Sequence, residues 1–319
     1  MKKYLISLLV IVFSIILSGC PIVDPNSSNN LGGEDENNND LPTGNVKSIA
    51  VGDEYSLVLL EDGSLWGFGF NTSGQLGLRD LINNQLEATK IVDSGVLKVA
   101  ASDRYSMIIK DDNTLWATGD NDKRFGNGNE DDYRIFTKIR DDVEAVSCSF
   151  SHTSIITTSG DLLTCGYNTE GQLGDSTNTH SSSWVNVTTT KDVISVSNGD
   201  NFTIFLTSDN DLYGFGNNGS GQLGQDNITD TNHPVFIKSN VESISAGDSS
   251  YGQSGSSTGY NKLPKLIFSD IKIISAGDRY SMIIKNDNTL WAAGSDSNHK
   301  QGDGDNSNSA HYSFYQVTN

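Results

Sequence analysis

Histidines are the first residues to consider for chemistry, because a positioned histidine is the commonest proton donor or acceptor in enzymes. The chain has five, in unrelated surroundings and without an HExxH or similar spacing: His152, His180, His233, His299 and His311. The stretch Asp120, Asp122 and Glu130 resembles a calcium loop, but Phe125 stands where an EF-hand needs glycine. The sequence therefore predicts no catalytic residue, no metal site and no cofactor.

A second set of candidates recurs at one position of a repeated pattern. The position is aspartate five times: Asp53, Asp103, Asp200, Asp248 and Asp278. In four of these units the residue two places later is aromatic, namely Tyr55, Tyr105, Phe202 and Tyr280. In two of them an arginine stands between the aspartate and the aromatic residue, namely Arg104 and Arg279. Exposed aromatic and arginine side chains anchor protein partners, so the set predicts a partner-binding rim. The alternatives are that each aspartate caps a turn and that the rings pack in the interior.

These candidates belong to a sequence that repeats from Val46 onward. With residues 52, 102, 149, 199, 247 and 277 taken as equivalent, the steps are 50, 47, 50, 48 and 30 residues. Six units are present, and the fifth is about 20 residues short. Units of this length build propellers or solenoids.

Each full unit contains a predicted hairpin. Its two central residues tolerate the positive φ that tight hairpin loops require, and the pairs are Asp62-Gly63, Asp112-Asn113, Ser159-Gly160, Asp209-Asn210 and Asp287-Asn288. A loop follows that reads GQLG at 74–77, 171–174 and 221–224, and an apolar segment such as 88–92 supplies a fourth strand. Four short antiparallel strands without a helical period predict a propeller blade, with a solenoid as the geometric alternative.

The order GDxxS, apolar strand, turn, LWxxG and NxxGQLG resembles the repeat of the regulator-of-chromosome-condensation family. The resemblance covers residues 46–317 and implies a β-propeller, which in that family usually closes with about seven units. A leucine followed by tryptophan or tyrosine recurs in register at Leu65-Trp66, Leu115-Trp116, Leu212-Tyr213 and Leu290-Trp291. The paired residues of WD and kelch blades do not recur.

Departures from the family pattern modify the expected ring. The family's histidine occurs only once, as His152, and GQLG becomes Arg124-Phe125-Gly126 in the second unit. The fifth unit lacks its hairpin, and the near-identity of residues 103–117 and 278–292 indicates shuffled units. We therefore expect an all-β propeller of about six four-stranded blades, with the fifth truncated and the ring imperfectly or incompletely closed.

The N-terminus predicts export. Lys2 and Lys3 precede an apolar run at 5–17, which is too short to span a membrane because a spanning helix needs about 20 residues. The following LSGC resembles the lipobox of bacterial lipoproteins, which implies lipid attachment at Cys20. The alternative is an ordinary signal peptide with an incidental cysteine. Pro21 replaces the aspartate that retains such proteins in the inner membrane, which favours the outer membrane or cell surface if the cell has an outer membrane.

Three regions follow from these features: a signal peptide at 1–19, a lipidated cysteine with a disordered linker at 20–44, and a propeller at 45–319. The mature chain has 19 basic and 40 acidic residues, a formal charge of −21. This charge excludes nucleic acid as a natural partner, because phosphate backbones bind lysine and arginine. A basic partner is electrostatically allowed. Cys148 and Cys165 lie on predicted strands separated by a third, and a disulfide and two free thiols both stay open.

Together these features predict an exported binding module, lipid-anchored to the cell envelope. Its loops would recognise an unknown protein or surface polysaccharide, and it would touch the membrane only through its lipid. The exchange-factor activity of the founding family member is not carried over, because export separates the chain from nuclear GTPases and chromatin. An enzyme with an active site at the rim and a variable surface protein without a tight ligand are the alternatives.

Overall fold

The computed structural model describes residues 44–79, 85–219, 221–223, 229–241 and 243–244, and the strands 271–276, 280–285, 290–295 and 310–316. All the strands and turns in these ranges belong to an all-β fold. A search of the same ranges for a helix long and apolar enough to cross a membrane finds none. The predicted signal peptide, Cys20 and the linker up to residue 43 lie outside them.

Twenty strands form five antiparallel sheets of four strands, and sequence neighbours are also neighbours in each sheet. Blades 1 and 2 consist of β1 (Val46–Val51), β2 (Tyr55–Leu60), β3 (Leu65–Gly69), β4 (Gln85–Val92), β5 (Val96–Ala101), β6 (Tyr105–Lys110), β7 (Leu115–Gly119) and β8 (Tyr133–Arg140). Blades 3 and 4 consist of β9 (Val143–Cys148), β10 (His152–Thr157), β11 (Leu162–Gly166), β12 (Ser181–Asn186), β13 (Val193–Asn198), β14 (Phe202–Thr207), β15 (Leu212–Gly216) and β16 (Thr231–Lys238).

The fifth described sheet comes from the sixth sequence unit, and we call it blade 6. It consists of β17 (Ile271–Ala276), β18 (Tyr280–Lys285), β19 (Leu290–Ser295) and β20 (Ala310–Gln316). The predicted four-stranded blade is thus confirmed in five units. The expected truncation of the fifth unit falls on residues 245–270, outside the described part of the chain.

The hairpin turns also join each blade to the next. Their second residue has a positive φ, as the turn chemistry predicts: 79° at Gly63 and 61° at Asn113. The carbonyl oxygen of this residue accepts a hydrogen bond from the first residue of the following blade. The N–H groups of Val96 and Val143 donate to Gly63 and Asn113 at 3.0 and 2.9 Å. The same bond recurs from Val193 to Gly160 and from Val241 to Asn210.

A β-bulge recurs at the second residue of the first strand in all five described blades. The bulged residues are Lys47, Leu97, Glu144, Ile194 and Lys272. A bulge increases the local twist of a strand. The first strand of blades 2, 3 and 4 lies against the first and second strands of the preceding blade, so the first strands are the inner ones.

Among the described residues, the three largest hydrophobic clusters lie between neighbouring blades, and two smaller ones lie within blades 1 and 4. Leu57, Leu65 and Leu76 of blade 1 pack with Val96 and Ile108 of blade 2. Two further clusters join blades 2 and 3 and blades 3 and 4 in the same way. Blades 1 to 4 therefore bury apolar faces against one another, as in other repeat proteins.

Candidate functional site

Two kinds of loop lie at one end of the blades, which we call the loop face. The short loops follow the first strands, at 52–54, 102–104, 149–151 and 199–201, and the long loops follow the third strands, starting at 70, 120, 167 and 217. A backbone hydrogen bond of 2.8–3.1 Å joins the two loops within each of these blades, for example from Phe70 N–H to the Glu54 carbonyl. The hairpin turns lie at the opposite end, which we call the turn face.

An asparagine shapes each long loop. The side-chain oxygen of Asn71 accepts a hydrogen bond from the N–H of Leu76 at 2.9 Å, which turns Leu76 into the interior. Asn121, Asn168 and Asn218 do the same for Phe125, Leu173 and Leu223. The loop backbone then bonds to the next blade: Ser106 donates to the Gln75 carbonyl at 2.7 Å, and Thr203 to the Gln172 carbonyl at 3.1 Å.

The predicted aromatic residues of the short loops are buried and do not lie on the loop face. Tyr55, Tyr105 and Phe202 are at most 6% exposed. The Tyr55 hydroxyl donates to the carbonyl of Tyr105 in the next blade and lies 2.8 Å from the Ser106 hydroxyl. The Tyr105 hydroxyl in turn contacts the Ser149 carbonyl at 3.0 Å and the Thr153 hydroxyl at 2.9 Å.

The expectation that Tyr55, Tyr105 and Phe202 are exposed anchors is therefore wrong, and the interior alternative holds. The physical reason is that each tyrosine hydroxyl reaches a partner in the following blade, which places its ring between two sheets. Buried tyrosines are expected to find such partners.

His152 is the equivalent residue of blade 3 and bridges blades 3 and 4. Its Nε2 lies 2.7 Å from the Thr203 hydroxyl, and its Nδ1 lies 3.0 Å from the hydroxyls of both Ser149 and Ser151. Burial lowers the pKa of His152 to about 3, only partly opposed by a hydrogen bond with the Asp200 backbone. The ring is fully buried, so its role is structural.

The predicted charged residues do lie on the loop face. Asp53 and Arg104 are exposed, and Asp200 is half-buried. Arg104 pairs with Asp103 at 3.4 Å. Burial raises the pKa of Asp103, as do the nearby carboxylates of Asp53 and Asp120, whereas Arg104 lowers it.

The capping alternative fails for two of these aspartates, because within the described residues neither Asp53 nor Asp103 accepts a hydrogen bond from a backbone N–H. Asp278 and Arg279 lie outside the described residues, as does Asp248. Tyr280 is described only as the first residue of β18.

Sequence reasoning missed Phe150, the most exposed large hydrophobic residue among those described. Phe150 is 58% exposed and occupies the position that is aspartate in blades 1, 2 and 4. The signal in the sequence was the departure of this unit from the aspartate pattern, since the third unit reads SFSH where the first reads GDEY. An aromatic side chain in a rim of carboxylates is a candidate anchor for a protein partner.

A buried arginine holds the Phe150 loop in place. Arg124 donates to the Phe150 carbonyl at 2.7 Å and pairs with Asp120 at 3.0 Å. Its guanidinium also lies over the Tyr105 ring, 5.1 Å from the centroid. Arg124 replaces the glutamine of GQLG, so the decayed loop of blade 2 positions the exposed ring of blade 3. The Ser151 hydroxyl ties the same loop to the carbonyl of Asp200 in blade 4.

The carboxylates of the suspected calcium loop are used in protein contacts. Besides the Asp120 pair with Arg124, Asp122 accepts a hydrogen bond from the Tyr167 hydroxyl at 2.8 Å, and Glu130 pairs with Lys123 at 2.9 Å. In the part of the chain that the structure describes, no three histidine, cysteine, aspartate or glutamate side chains are grouped as a metal site.

The two described cysteines are free. Cys148 on β9 and Cys165 on β11 pair with Thr153 from its two sides, so β10 separates them. Two strand spacings amount to about 10 Å, whereas a disulfide requires Cα atoms within about 7 Å. The separated-strand geometry expected from the sequence therefore excludes a disulfide between them.

The repeated four-stranded meander, with blades that adjoin through their inner strands, defines a β-propeller. The chain belongs to the RCC1-like domain family, which it matches over residues 23–318. This membership confirms the resemblance to the regulator-of-chromosome-condensation repeat.

Two solved structures share the fold. Human WBSCR16 is 19% identical, with a TM-score of 0.74 over 88% of this chain and 83% of that one. Yeast RCC1 (Prp20), in a crystal structure with Kap60 bound, is 18% identical, with a TM-score of 0.73 over 86% of this chain and 75% of that one. At these identities the likeness concerns the fold.

The Tyr105 hydroxyl offers a direct test of the contacts between blades. Tyr105→Phe is expected to lower the free energy of unfolding by about 1–3 kcal/mol, because Thr153 and the Ser149 carbonyl lose a buried partner. Urea unfolding followed by tryptophan fluorescence measures the change. Tyr213→Phe is the control, since its hydroxyl makes no hydrogen bond to a described residue, and equal stability of the two variants would contradict the assigned role.

The buried His152 predicts a pH dependence of stability. Its pKa is lowered from 6.5 to about 3 in the folded chain, so its neutral form is favoured there. Its contribution is fully present above pH 6.5 and is lost as the pH falls from 6.5 toward 3, about 5 kcal/mol in total. His152→Phe, which copies Phe202 of blade 4, is expected to flatten this slope in urea unfolding measured from pH 7 to pH 4. Parallel pH curves for the two proteins would rule out a buried neutral imidazole.

Proposed function

We propose that this chain is a binding module that recognises a protein partner through its loop face. It acts outside the cytoplasm, held at the cell envelope by a lipid on Cys20. The observation that carries the proposal is the exposed ring of Phe150 in a rim otherwise occupied by Asp53, Asp103 and Asp200.

The surroundings of Phe150 support its use as an anchor. A side chain that is held in place before the partner arrives loses less conformational entropy on binding, which favours affinity. The Arg124 bond to the Phe150 carbonyl and the Ser151 bond to Asp200 provide such positioning. Arg104, exposed beside Asp103, adds a second anchor of a type frequent in interfaces.

The fold is compatible with this role. Yeast RCC1, a propeller of similar fold, was crystallised with Kap60 bound to it. A protein partner accounts for the exposed ring and the charged residues of the loop face without any catalytic group. A protein is favoured over a polysaccharide because these charged groups are suited to protein side chains.

The anchor rests on the sequence of the N-terminus. Residues 17–20 read LSGC after a basic start and a short apolar run. Residues 21–43 are rich in asparagine and carboxylates and supply a tether between the lipid and the first blade. Two or more acyl chains would hold the protein stably at a membrane surface.

Loss of Phe150 is expected to abolish partner capture. The tagged full chain, extracted in mild detergent, is used to recover proteins from the envelope fraction of its own cells. A stoichiometric partner of the unmodified chain should fall about tenfold or more with Phe150→Ser. Ile194→Ser is the matched control, because Ile194 is 54% exposed but lies near the turn face. Equal recovery with both variants would refute the loop face as the binding surface.

Lipid attachment is tested by metabolic labelling with an alkyne-tagged palmitate. The unmodified chain and Cys148→Ser should carry the label, and Cys20→Ser should not. Cys148 is a suitable control because burial raises the pKa of its thiol to about 12, which keeps it unreactive. An unlabelled wild-type chain, or label retained in Cys20→Ser, would contradict the anchor.

A further inference from the structure

The second residue of the second strand receives a hydrogen bond from the preceding blade at three boundaries. In blades 2, 3 and 4 it carries a fully buried hydroxyl: Ser106, Thr153 and Thr203. The side chains that bind these hydroxyls are Tyr55, Tyr105 and His152. Blade 1 has Ser56 at this position, half-buried and without a hydrogen bond to any described residue. Its hydroxyl is therefore available to a blade that packs in front of blade 1.

The backbone at the start of blade 1 follows the same pattern. The first N–H groups of blades 2, 3 and 4, at Val96, Val143 and Val193, donate to a hairpin carbonyl of the preceding blade at 2.8–3.0 Å. Val46 is the equivalent residue of blade 1, as its pairing with Leu60 shows. None of the described hairpin carbonyls accepts a hydrogen bond from Val46. A hairpin turn other than the described ones is therefore the expected acceptor for the Val46 N–H.

An apolar residue of the second strand packs on the preceding blade at the same three boundaries. It is Ile108, Ile155 or Phe205, each at most 1% exposed and clustered with side chains of the blade before it. The equivalent Val58 is also 1% exposed, yet the described residues of its cluster all belong to blade 1. We call Val46, Ser56 and Val58 the leading face of blade 1. Its composition matches the faces that blades 2, 3 and 4 turn toward their preceding blades.

Blade 6 carries the residues that such a face binds. In blade 2, five residues on β6 and β7 pack with blade 3: Tyr105, Met107, Ile109, Leu115 and Ala117. The corresponding residues of β18 and β19 are of the same types: Tyr280, Met282, Ile284, Leu290 and Ala292. Their backbone register is also the same, since Met107 pairs with Ala117 and Met282 with Ala292. The sequence and register of blade 6 therefore repeat the face by which blade 2 binds blade 3.

The first residue of the second strand distinguishes blade 6 from blade 4. In blades 1, 2 and 3 this residue is polar, and the following blade supplies a hydroxyl to it. Blade 4 has Phe202, which has no polar side-chain atom, and the unit that follows it in the sequence lacks its hairpin. Blade 6 has Tyr280. A tyrosine at this position predicts a following blade with a hydroxyl on its second strand, and Ser56 of blade 1 meets this condition.

We propose that blade 6 packs on the leading face of blade 1 and closes the ring within one chain. The Tyr280 hydroxyl bonds to the Ser56 hydroxyl. Met282 packs on Val58, and the hairpin turn at 287–288 supplies the acceptor for the first N–H of blade 1. No strand is exchanged, because both blades have four strands of their own. Any irregularity of the ring is then confined to the fifth unit.

Blade 6 of the same chain is favoured over two other occupants of the leading face. Blade 6 of a second copy is present only at the concentration of the protein, whereas a segment of the same chain is held at a far higher effective concentration. The linker at 21–43 is rich in asparagine and carboxylates, and it lacks the apolar set that a blade face binds. The closure concerns the ring itself and holds independently of the proposed function.

Photo-cross-linking of the full chain in detergent tests this boundary. A p-benzoylphenylalanine in place of Tyr280 keeps an aromatic ring at this position and, on irradiation, attaches to a neighbouring C–H bond. Trypsin cleaves after Lys47 and Arg79, so the segment 48–79 that contains Ser56 is recovered as one peptide. We expect mass spectrometry to find the cross-link from position 280 to this peptide, in chains that run as monomers in denaturing electrophoresis.

The positive control places the same photoreactive residue at position 105 of blade 2. It should attach to the tryptic peptide 141–191 of blade 3, because Tyr105 contacts the Ser149 carbonyl and Thr153 there. Thermal unfolding checks that both modified chains are folded. Phe150→Ser should leave both cross-links unchanged, so a failure of partner capture and a failure of ring closure are read separately.

Three results would overturn the proposal. A cross-link from position 105 without one from position 280 would show that the ring is open at blade 1. A cross-link from position 280 to a blade other than blade 1 would place a different neighbour after blade 6. A cross-link to the peptide 48–79 that is found only in dimers would assign the leading face to a second copy of the chain.

A double-mutant cycle tests the same contact with smaller changes, and it decides the matter if the photoreactive chain does not fold. Tyr280→Phe and Ser56→Ala are each expected to lower the melting temperature by about 2–4 °C. The double variant should melt no lower than the less stable single variant, because one hydrogen bond is lost only once. Tyr105→Phe combined with Ser56→Ala is the control, and these losses should add because Tyr105 bonds to blade 3. Additive losses for Tyr280 and Ser56 would refute the contact.

Discussion

At the start of the second strand in blades 1, 2 and 3, a buried side chain completes the hydrogen bonding of the next blade. Tyr55 bonds to Tyr105 and Ser106, Tyr105 to Ser149 and Thr153, and His152 to Thr203. The bonds replace water around polar groups that would otherwise be buried without partners, which is costly. On the turn face, the hairpin carbonyls accept bonds from the first residue of the following blade, so the three boundaries among blades 1 to 4 are joined at both ends.

This dependence on neighbours links the fold to the loop face. The long loop of one blade is hydrogen-bonded to the following blade. A substitution in one loop therefore alters the position of a loop in the neighbouring blade. Arg124, which replaces the GQLG glutamine of blade 2, holds the Phe150 loop of blade 3. Function in this molecule can therefore arise from the units that depart from the repeat.

The fold was predictable because its signals are local and repeated. Asp-Gly and Asp-Asn pairs set the hairpins, and Asn71 and its equivalents shape loops that read alike in the sequence. Whether the side chains of Tyr55 and Tyr105 are buried or exposed was not predictable, since a tyrosine suits both an interior with a hydrogen-bond partner and an exposed face. Phe150 was not predicted because a repeat pattern emphasises what the units share. Its importance depends on side chains that other blades place nearby, which no single unit encodes.

The central claim is that each blade is stabilised by the next rather than by itself. Amide hydrogen exchange of the full chain, resolved by peptide, tests it most directly. The account predicts that peptides covering β6, β10 and β14 exchange together, with one common protection that denaturant lowers in parallel. Exchange of one of these strands through independent opening, while its neighbours stay protected, would contradict it.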